Sequence, residues 1–229
     1  MAGRGKRAGL FGGTFNPVHM GHLRMAEEVR TEFELDQVCF IPAALPPHKE
    51  AADLVSAADR CEMIARAIET NPGFFVSDAE IKRRGRSYTI DTVAAFQADQ
   101  PADAVFYLII GLDAFFEIET WKSYGTLFER IPFVVLQRPG QGPDKTRPLL
   151  ESMLRHAQRH VDTGYAAAEE RRCLVHPSKQ SVHLHPATQL DISSTRIRAL
   201  IKERKSIKYL VPEVVESYIL EKELYADIR

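Results

Sequence analysis

The residues best suited to chemistry stand together near the start of the chain, in "GGTFNPVHMGH" (12–22). Gly12 and Gly13 carry no Cβ, so their backbone N–H groups can come close to a ligand. Thr14 adds a hydroxyl, and Pro17 stiffens the loop. A helix is expected to begin near Gly21, with His19 just before it and His22 on its first turn. The free N–H groups and macrodipole of a helix start favour anions, and imidazole donors there suit a phosphate whose charge rises during reaction. The same residues also suit a glycine turn with two incidental histidines, or part of a zinc site, since i,i+3 histidines can share a face. The chain has no GxxxxGK[ST], and no GxGxxG follows its first strand. A P-loop and the usual dinucleotide fingerprint are therefore excluded.

Elements must hold these residues in place, and strand-like apolar runs alternate with helical patterns along the chain. Strands are expected at "AGLFGG" (8–13), "VCFIP" (38–42), "FFVS" (74–77), "VFYLIIG" (105–111), "IPFVVLQ" (131–137) and "VHLH" (182–185). Helices are expected from Gly21 to about Phe33 and over 56–70, 88–97, 149–161, 194–204 and 212–224. Ser56 caps the second of these, and Pro212 sits in the first turn of the last. Within the charged segment "DAEIKRRGRS" (78–87), the cluster "IKRRGR" (81–86) reads as a solvated turn, with steering of anionic substrates as the alternative. This order predicts an α/β fold, a Rossmann-like parallel sheet flanked by helices, with ligands beyond the carboxyl ends of the strands.

At 229 residues, 45% apolar and 27% charged, the chain suits one domain over 1–229 with a substantial core. Residues 1–7 are expected to be a flexible tail, 138–180 an insertion too poor in apolar residues for its own core, and 192–229 a helical C-terminal part. A net charge of -1 leaves no global basic field for a nucleic-acid polymer. Cys39, Cys61 and Cys173 are scattered without a CxxC, a poor disulfide or zinc set that fits a reducing cytoplasm. The longest apolar runs are too short to span a bilayer, so a soluble, cytoplasmic protein is expected. The last helix suits core packing or a subunit contact, which leaves a homodimer open. His156, His160, His176, His183 and His185 are read as surface or satisfied polar residues.

"GGTFNPVHMGHL" (12–23) resembles the signature of the HxGH nucleotidylyltransferases, and among them the bacterial nicotinate-nucleotide adenylyltransferase family. The likeness recurs in order at "IPAALPPHK" (41–49), "SYTIDTV" (87–93), "IIGLDAFFEIETWKSY" (109–124), "ISSTRIR" (192–198) and "YLVPEVVESYI" (209–219). Asn16 departs from the family's usual Asp, and Lys122 stands where an aromatic often follows the tryptophan. The stretch between Arg138 and Gln189 is longer than in compact members.

The resemblance implies transfer of the adenylyl group of ATP to nicotinate mononucleotide, giving nicotinate adenine dinucleotide and pyrophosphate. No covalent enzyme intermediate forms, and Mg2+ binds through the ATP phosphates. It implies that His19 and His22 contact those phosphates, with His22 stabilising the transition state, and that Arg198 completes the catalytic set while Arg196 is a surface charge. ATP would also meet Gly12, Gly13, Thr14, Phe15, Gly21, Gly111, Asp113, Ser193 and Ser194. The mononucleotide would meet Lys49, Tyr88, Thr89 and Trp121, the indole stacking on the pyridine ring. For Asp113 a helix N-cap before "AFFEIE" is the structural alternative. Rival functions are a sibling transferase acting on phosphopantetheine, FMN or a cytidylyl substrate, and a catalytically silent nucleotide-binding module. The SYT segment and the GLD…W pairing count against the siblings. Intact His19, His22 and Arg198 count against the silent module.

Overall fold

Apolar runs without polar alternation suit strands covered on both faces, and here they build a mainly parallel sheet. The computed structural model describes residues 5–45, 54–83, 85–101, 103–137, 146–188 and 190–226. Strand β1 (Arg7–Gly13) lies between β2 (Gln37–Pro42) and β4 (Val105–Gly111), parallel to both. Beyond β2 lies β3 (Phe74–Val76), and beyond β4 come β5 (Phe133–Leu136) and β8 (Val182–His185), all parallel. Two antiparallel strands, β7 (Cys173–Val175) and β6 (Ala166–Ala168), continue past β8. The order is β3-β2-β1-β4-β5-β8-β7-β6. The chain winds outward from β1 to β3 and then returns to β4 on the other side, so strand order switches between β1 and β4. In such sheets the crevice at the switch point receives the ligand. Here it opens beside Gly13 and Gly111.

Side chains alternate across the strands as the pleat requires. Cys39 and Ile41 of β2 join one core, and Val38 and Phe40 join the other. The first core is covered by α4 (Thr89–Ala98), α5 (Leu112–Phe116), α6 (Tyr124–Arg130) and α7 (Thr146–His160). The second lies under α1 (Met20–Glu32), α2 (Ala57–Ile68), α8 (Ser194–Lys202) and α9 (Glu213–Glu221). Ser56 caps α2 by accepting the N–H of Asp59 at 3.0 Å, as its sequence position implied. Among the described residues no helix is long and apolar enough to cross a membrane.

Several expectations change. The charged 78–87 stretch contains a short helix, α3 (Ala79–Arg83), because Glu80 turns inward and accepts from the Thr92 hydroxyl at 2.6 Å. Pro212 is the N-cap of α9, one position before the first turn. The polar connection before "VHLH" holds β6 and β7, and Leu149, Leu150, Met153, Ala157 and Leu174 join the core under the sheet. Of the histidines expected to be surface or satisfied polar residues, His183 and His176 are satisfied, and several are packed rather than exposed. His183 meets Ser181 Oγ at 2.8 Å, and His176 accepts the N–H of Lys179 at 3.0 Å. His185 is 7% exposed, and a T-shaped contact joins the His183 ring to Phe33 at 5.3 Å. His156 packs on Phe115 and Phe116, and the nearly buried His176 lies 3.2 Å from Asp162. Burial lowers the pKa of His156, His183 and His185.

Phe128 joins α6 to the sheet by stacking on Phe133 at 4.5 Å, with no exposed surface. Phe128→Ala should cost about 3–5 kcal/mol of stability, read as a lower urea midpoint at unchanged slope.

Candidate active site

β1 delivers the chain into a loop and then into the first turn of α1. His19 is the N-cap of α1, with extended backbone, and His22 is the third residue of the helix. The two rings stack with centroids 3.6 Å apart and planes 25° from parallel. Nδ1 of His22 accepts the backbone N–H of His19 at 3.2 Å. An acceptor Nδ1 places the proton of the neutral ring on Nε2, so His22 presents a donor at its outer nitrogen. His19 is 5% exposed, and burial lowers its pKa to about 4. It is therefore a neutral imidazole near pH 7, not a fixed cation. Its Nδ1 is buried and meets no hydrogen-bond partner among the described residues. Gly21 makes room for the pair, since a Cβ there would stand 3.1 Å from His19 Nδ1 and 3.2 Å from its Cε1.

"ISSTRIR" closes on this loop from the other end of the chain. Ser193 caps α8, its hydroxyl accepting the N–H of Arg196 at 3.2 Å. Ser194 Oγ donates to the Pro17 carbonyl at 2.9 Å, and Arg198 Nη1 donates to the Asn16 carbonyl at 2.9 Å. Arg196 is exposed. The fold thus brings His19, His22, Ser194 and Arg198 to one loop, although 175 or more positions separate the serine and arginine from Pro17 and Asn16 (|i−j| of 177 and 182).

Beside the clamp, a cavity of about 540 Å3 opens at the switch point. Gly12, Gly13, Thr14, Gly111, Tyr88, Thr89 and Trp121 line it. A Cβ added to Gly12 or Gly111 would meet nothing within 4 Å among the described residues, so packing against those residues is not what requires these glycines. Tyr88 precedes α4 without a side-chain cap, leaving the first N–H groups of that helix for a ligand. Lys122 lines the cavity beside Trp121, paired with Asp91 at 3.0 Å and lying 4.7 Å from the centre of the Tyr88 ring. A cation over a tyrosine thus forms the wall beside Trp121.

The remaining sequence candidates divide. The Phe15 side chain is core, 3% exposed and packed on Phe11, Phe40 and His22, so only its backbone can face a ligand. Asp113 is not an N-cap, because Gly111 holds that position for α5. Lys49 lies outside the described residues. Among those residues no group of three or more His, Cys, Asp or Glu side chains could hold a metal ion.

Sequence reasoning missed two residues. Arg60 is wholly buried, and it donates to the carbonyls of Thr14 at 2.8 Å, Ala43 at 2.6 Å and Val55 at 3.2 Å. Its position was a signal, because it shares the core-facing stripe of α2 with Met63, Ile64 and Ile68. The second is Tyr225, also buried, whose hydroxyl donates to Asn16 Oδ1 at 3.0 Å.

Residues 10–200 match the cytidylyltransferase-like family. A protein of Geobacter sp. (strain M21), named probable nicotinate-nucleotide adenylyltransferase, is 44% identical across 97% of this chain and all of that one. A protein of the same name from Geotalea daltonii is 46% identical over the same shares. The chain belongs to the nicotinate-nucleotide adenylyltransferase family. The fold agrees. A structure of Plasmodium falciparum nicotinic acid mononucleotide adenylyltransferase complexed with NaAD superposes with a TM-score of 0.71. It covers 96% of this chain and 97% of that one at 18% identity. In this adenylyltransferase chain the family signature falls on the β1–α1 loop, "SYTIDTV" and "GLD…W" contribute to the cavity wall, "ISSTRIR" opens α8, and "YLVPEVVESYI" leads into α9.

Two outcomes follow. Gly21→Ala should push the His19 ring out of register, lowering kcat about tenfold or more while shifting Tm by only a few degrees. Burial holds the pKa of His19 at about 4 in the folded protein, below the ordinary imidazole value of 6.5. Its contribution to stability is therefore present above pH 6.5 and lost as pH falls toward 4. His19→Gln should remove up to about 3 kcal/mol of that acid dependence, measured by urea unfolding across this range.

Proposed function

We propose that this chain transfers the adenylyl group of ATP to nicotinate mononucleotide, releasing pyrophosphate and forming nicotinate adenine dinucleotide. The observation that carries the reading is one crevice with two halves. A donor clamp of His19, His22 and Arg198 stands beside a cavity walled by Trp121 and the first turn of α4. The curated relatives carry the same activity in their name.

The nucleophile is a phosphate oxygen of the mononucleotide, largely ionised at neutral pH because the second pKa of a phosphate monoester is ~6. It attacks the α-phosphorus in line, a new P–O bond forms, and the bond to the bridging oxygen of pyrophosphate breaks. No proton must leave the nucleophile, so no general base is needed. Catalysis rests on alignment and on neutralising charge. His22 Nε2–H and the Arg198 guanidinium are the donors for the charge that develops, and the Ser193 hydroxyl, the backbone N–H of Ser194 and the other first N–H groups of α8 receive the leaving phosphates. Gly12, Gly13, Thr14, Gly111 and Asp113 face the rest of ATP, with Phe15 contributing backbone only. The donor set of imidazole, guanidinium and hydroxyl suits phosphates more than a bare cation. Mg2+ would accordingly be carried by the ATP phosphates rather than held by this chain's side chains, and when bound it would supply further charge neutralisation.

Trp121 stacks on the pyridine ring, and the N–H groups at Tyr88 and Thr89 take its carboxylate. The 138–180 segment is an addition to a single domain over 1–229, and the reaction takes place in the cytoplasm.

The test is pyrophosphate release from ATP and Mg2+ with nicotinate or nicotinamide mononucleotide supplied separately. Nicotinate mononucleotide should win by more than about tenfold in kcat/KM, because a helix start rewards a carboxylate over a neutral amide. No release with either would overturn the reading. His22→Ala should lower kcat about 100-fold or more and leave the KM for ATP within a factor of about three. Parallel losses in both would make His22 a ground-state contact only.

A further inference from the structure

Tyr225 lies in the turns that follow α9, far from the clamp in sequence, and it is 1% exposed. Its backbone sits at φ 67, a left-handed conformation that costs a bulky residue energy unless its surroundings hold it there. What holds it is the phosphate loop. The hydroxyl donates to Asn16 Oδ1 at 3.0 Å, and the backbone N–H of Val55 approaches the same oxygen at 3.4 Å. Asn16 itself is 5% exposed. Its carbonyl, one residue's length from the amide so gripped, accepts from Arg198 Nη1 at 2.9 Å. Burial raises the Tyr225 pKa, so the phenol remains a protonated donor throughout the neutral range.

We propose that Tyr225 is a positioning residue for Arg198. The phenol fixes the side chain of Asn16, Asn16 in turn aims its carbonyl, and that carbonyl holds one edge of the guanidinium while the rest of the fork meets phosphate. Asn16 suits this link because its uncharged carbonyl groups accept from the phenol and the arginine while leaving the cation its full charge for the substrate. The role assigned to Arg198 rests on the function proposed above, so the experiment carries a readout that does not depend on the second substrate.

Tyr225→Phe removes only the hydroxyl. It is compared in the Arg198 protein and in an Arg198→Lys background, reading kcat, the affinity for magnesium pyrophosphate by calorimetry, and Tm. In the Arg198 protein the phenylalanine should cost about tenfold in kcat and in pyrophosphate affinity, the size of a coupling within one hydrogen-bond network. In the lysine background, where no fork remains to be aimed, it should cost less than about twofold in either, while the Tm change is the same in both. Equal losses in the two backgrounds would mark Tyr225 as merely structural and overturn the proposal. If Tyr225→Phe does not fold, Asn16→Ala opens the same link from its other side and is read in the same way. If the unmodified protein transfers no adenylyl group to any mononucleotide, the functional reading fails by itself. The pyrophosphate affinities still decide whether Tyr225 acts through Arg198.

Discussion

The site depends on a cation buried in α2. The Arg60 guanidinium has no exposed surface, and taking such a group out of water is costly unless its N–H groups find acceptors. Burial lowers its pKa, which expresses the same cost. Backbone carbonyls repay it: Thr14 from the loop after β1, Ala43 and Ala44 after β2, and Val55 ahead of α2. Each of these segments is irregular and could not satisfy its own carbonyls by strand or helix pairing. One side chain therefore fixes the relative positions of three segments that converge beside the switch point. Carbonyl oxygens bring only partial charge, so the guanidinium keeps its formal charge beside the loop that follows β1.

The two histidines show how the loop converts packing into chemistry. Burial, which a Cβ at residue 21 would disturb, holds His19 uncharged beside the His22 ring. The backbone N–H of His19 selects the tautomer of His22. The nitrogen at which His22 can donate is thus chosen by a main-chain contact three residues away. Arg198 places a guanidinium on the same loop, and its anchor on the Asn16 carbonyl ties α8 to the loop after β1.

Much of this could be read from sequence wherever the signal was local. Strands β1, β2, β4 and β5 are announced by apolar runs and β8 by the alternation "VHLH", and His19, His22, Ser193 and Arg198 stand in short motifs with fixed spacing. The reading weakened where structure depends on distant partners. Strand β6 is three alanines and β7 is "CLV", too short for any period, and both exist because β8 offers an edge to pair with. Helix α3 looked like a charged turn because nothing local reveals that Glu80 meets the Thr92 hydroxyl. Tyr225 and Asn16 stand 209 positions apart (|i−j|), so no spacing rule could have paired them. Arg60 was legible in principle, as a charge in phase with an apolar stripe, but such a residue more often reaches past the core to solvent.

The sheet ends at both sides in a strand of three residues, β3 and β6. Open edges invite strand addition by another chain, and very short edge strands are one of the ways proteins discourage it. A neighbouring molecule that approached either border would find only a few unpaired backbone groups before the chain turned away. Self-association of this protein by β-augmentation is accordingly disfavoured, and any stable assembly must be made through helix faces and loops. The long central strands, whose carboxyl ends form the crevice, are thereby kept within the interior of each molecule.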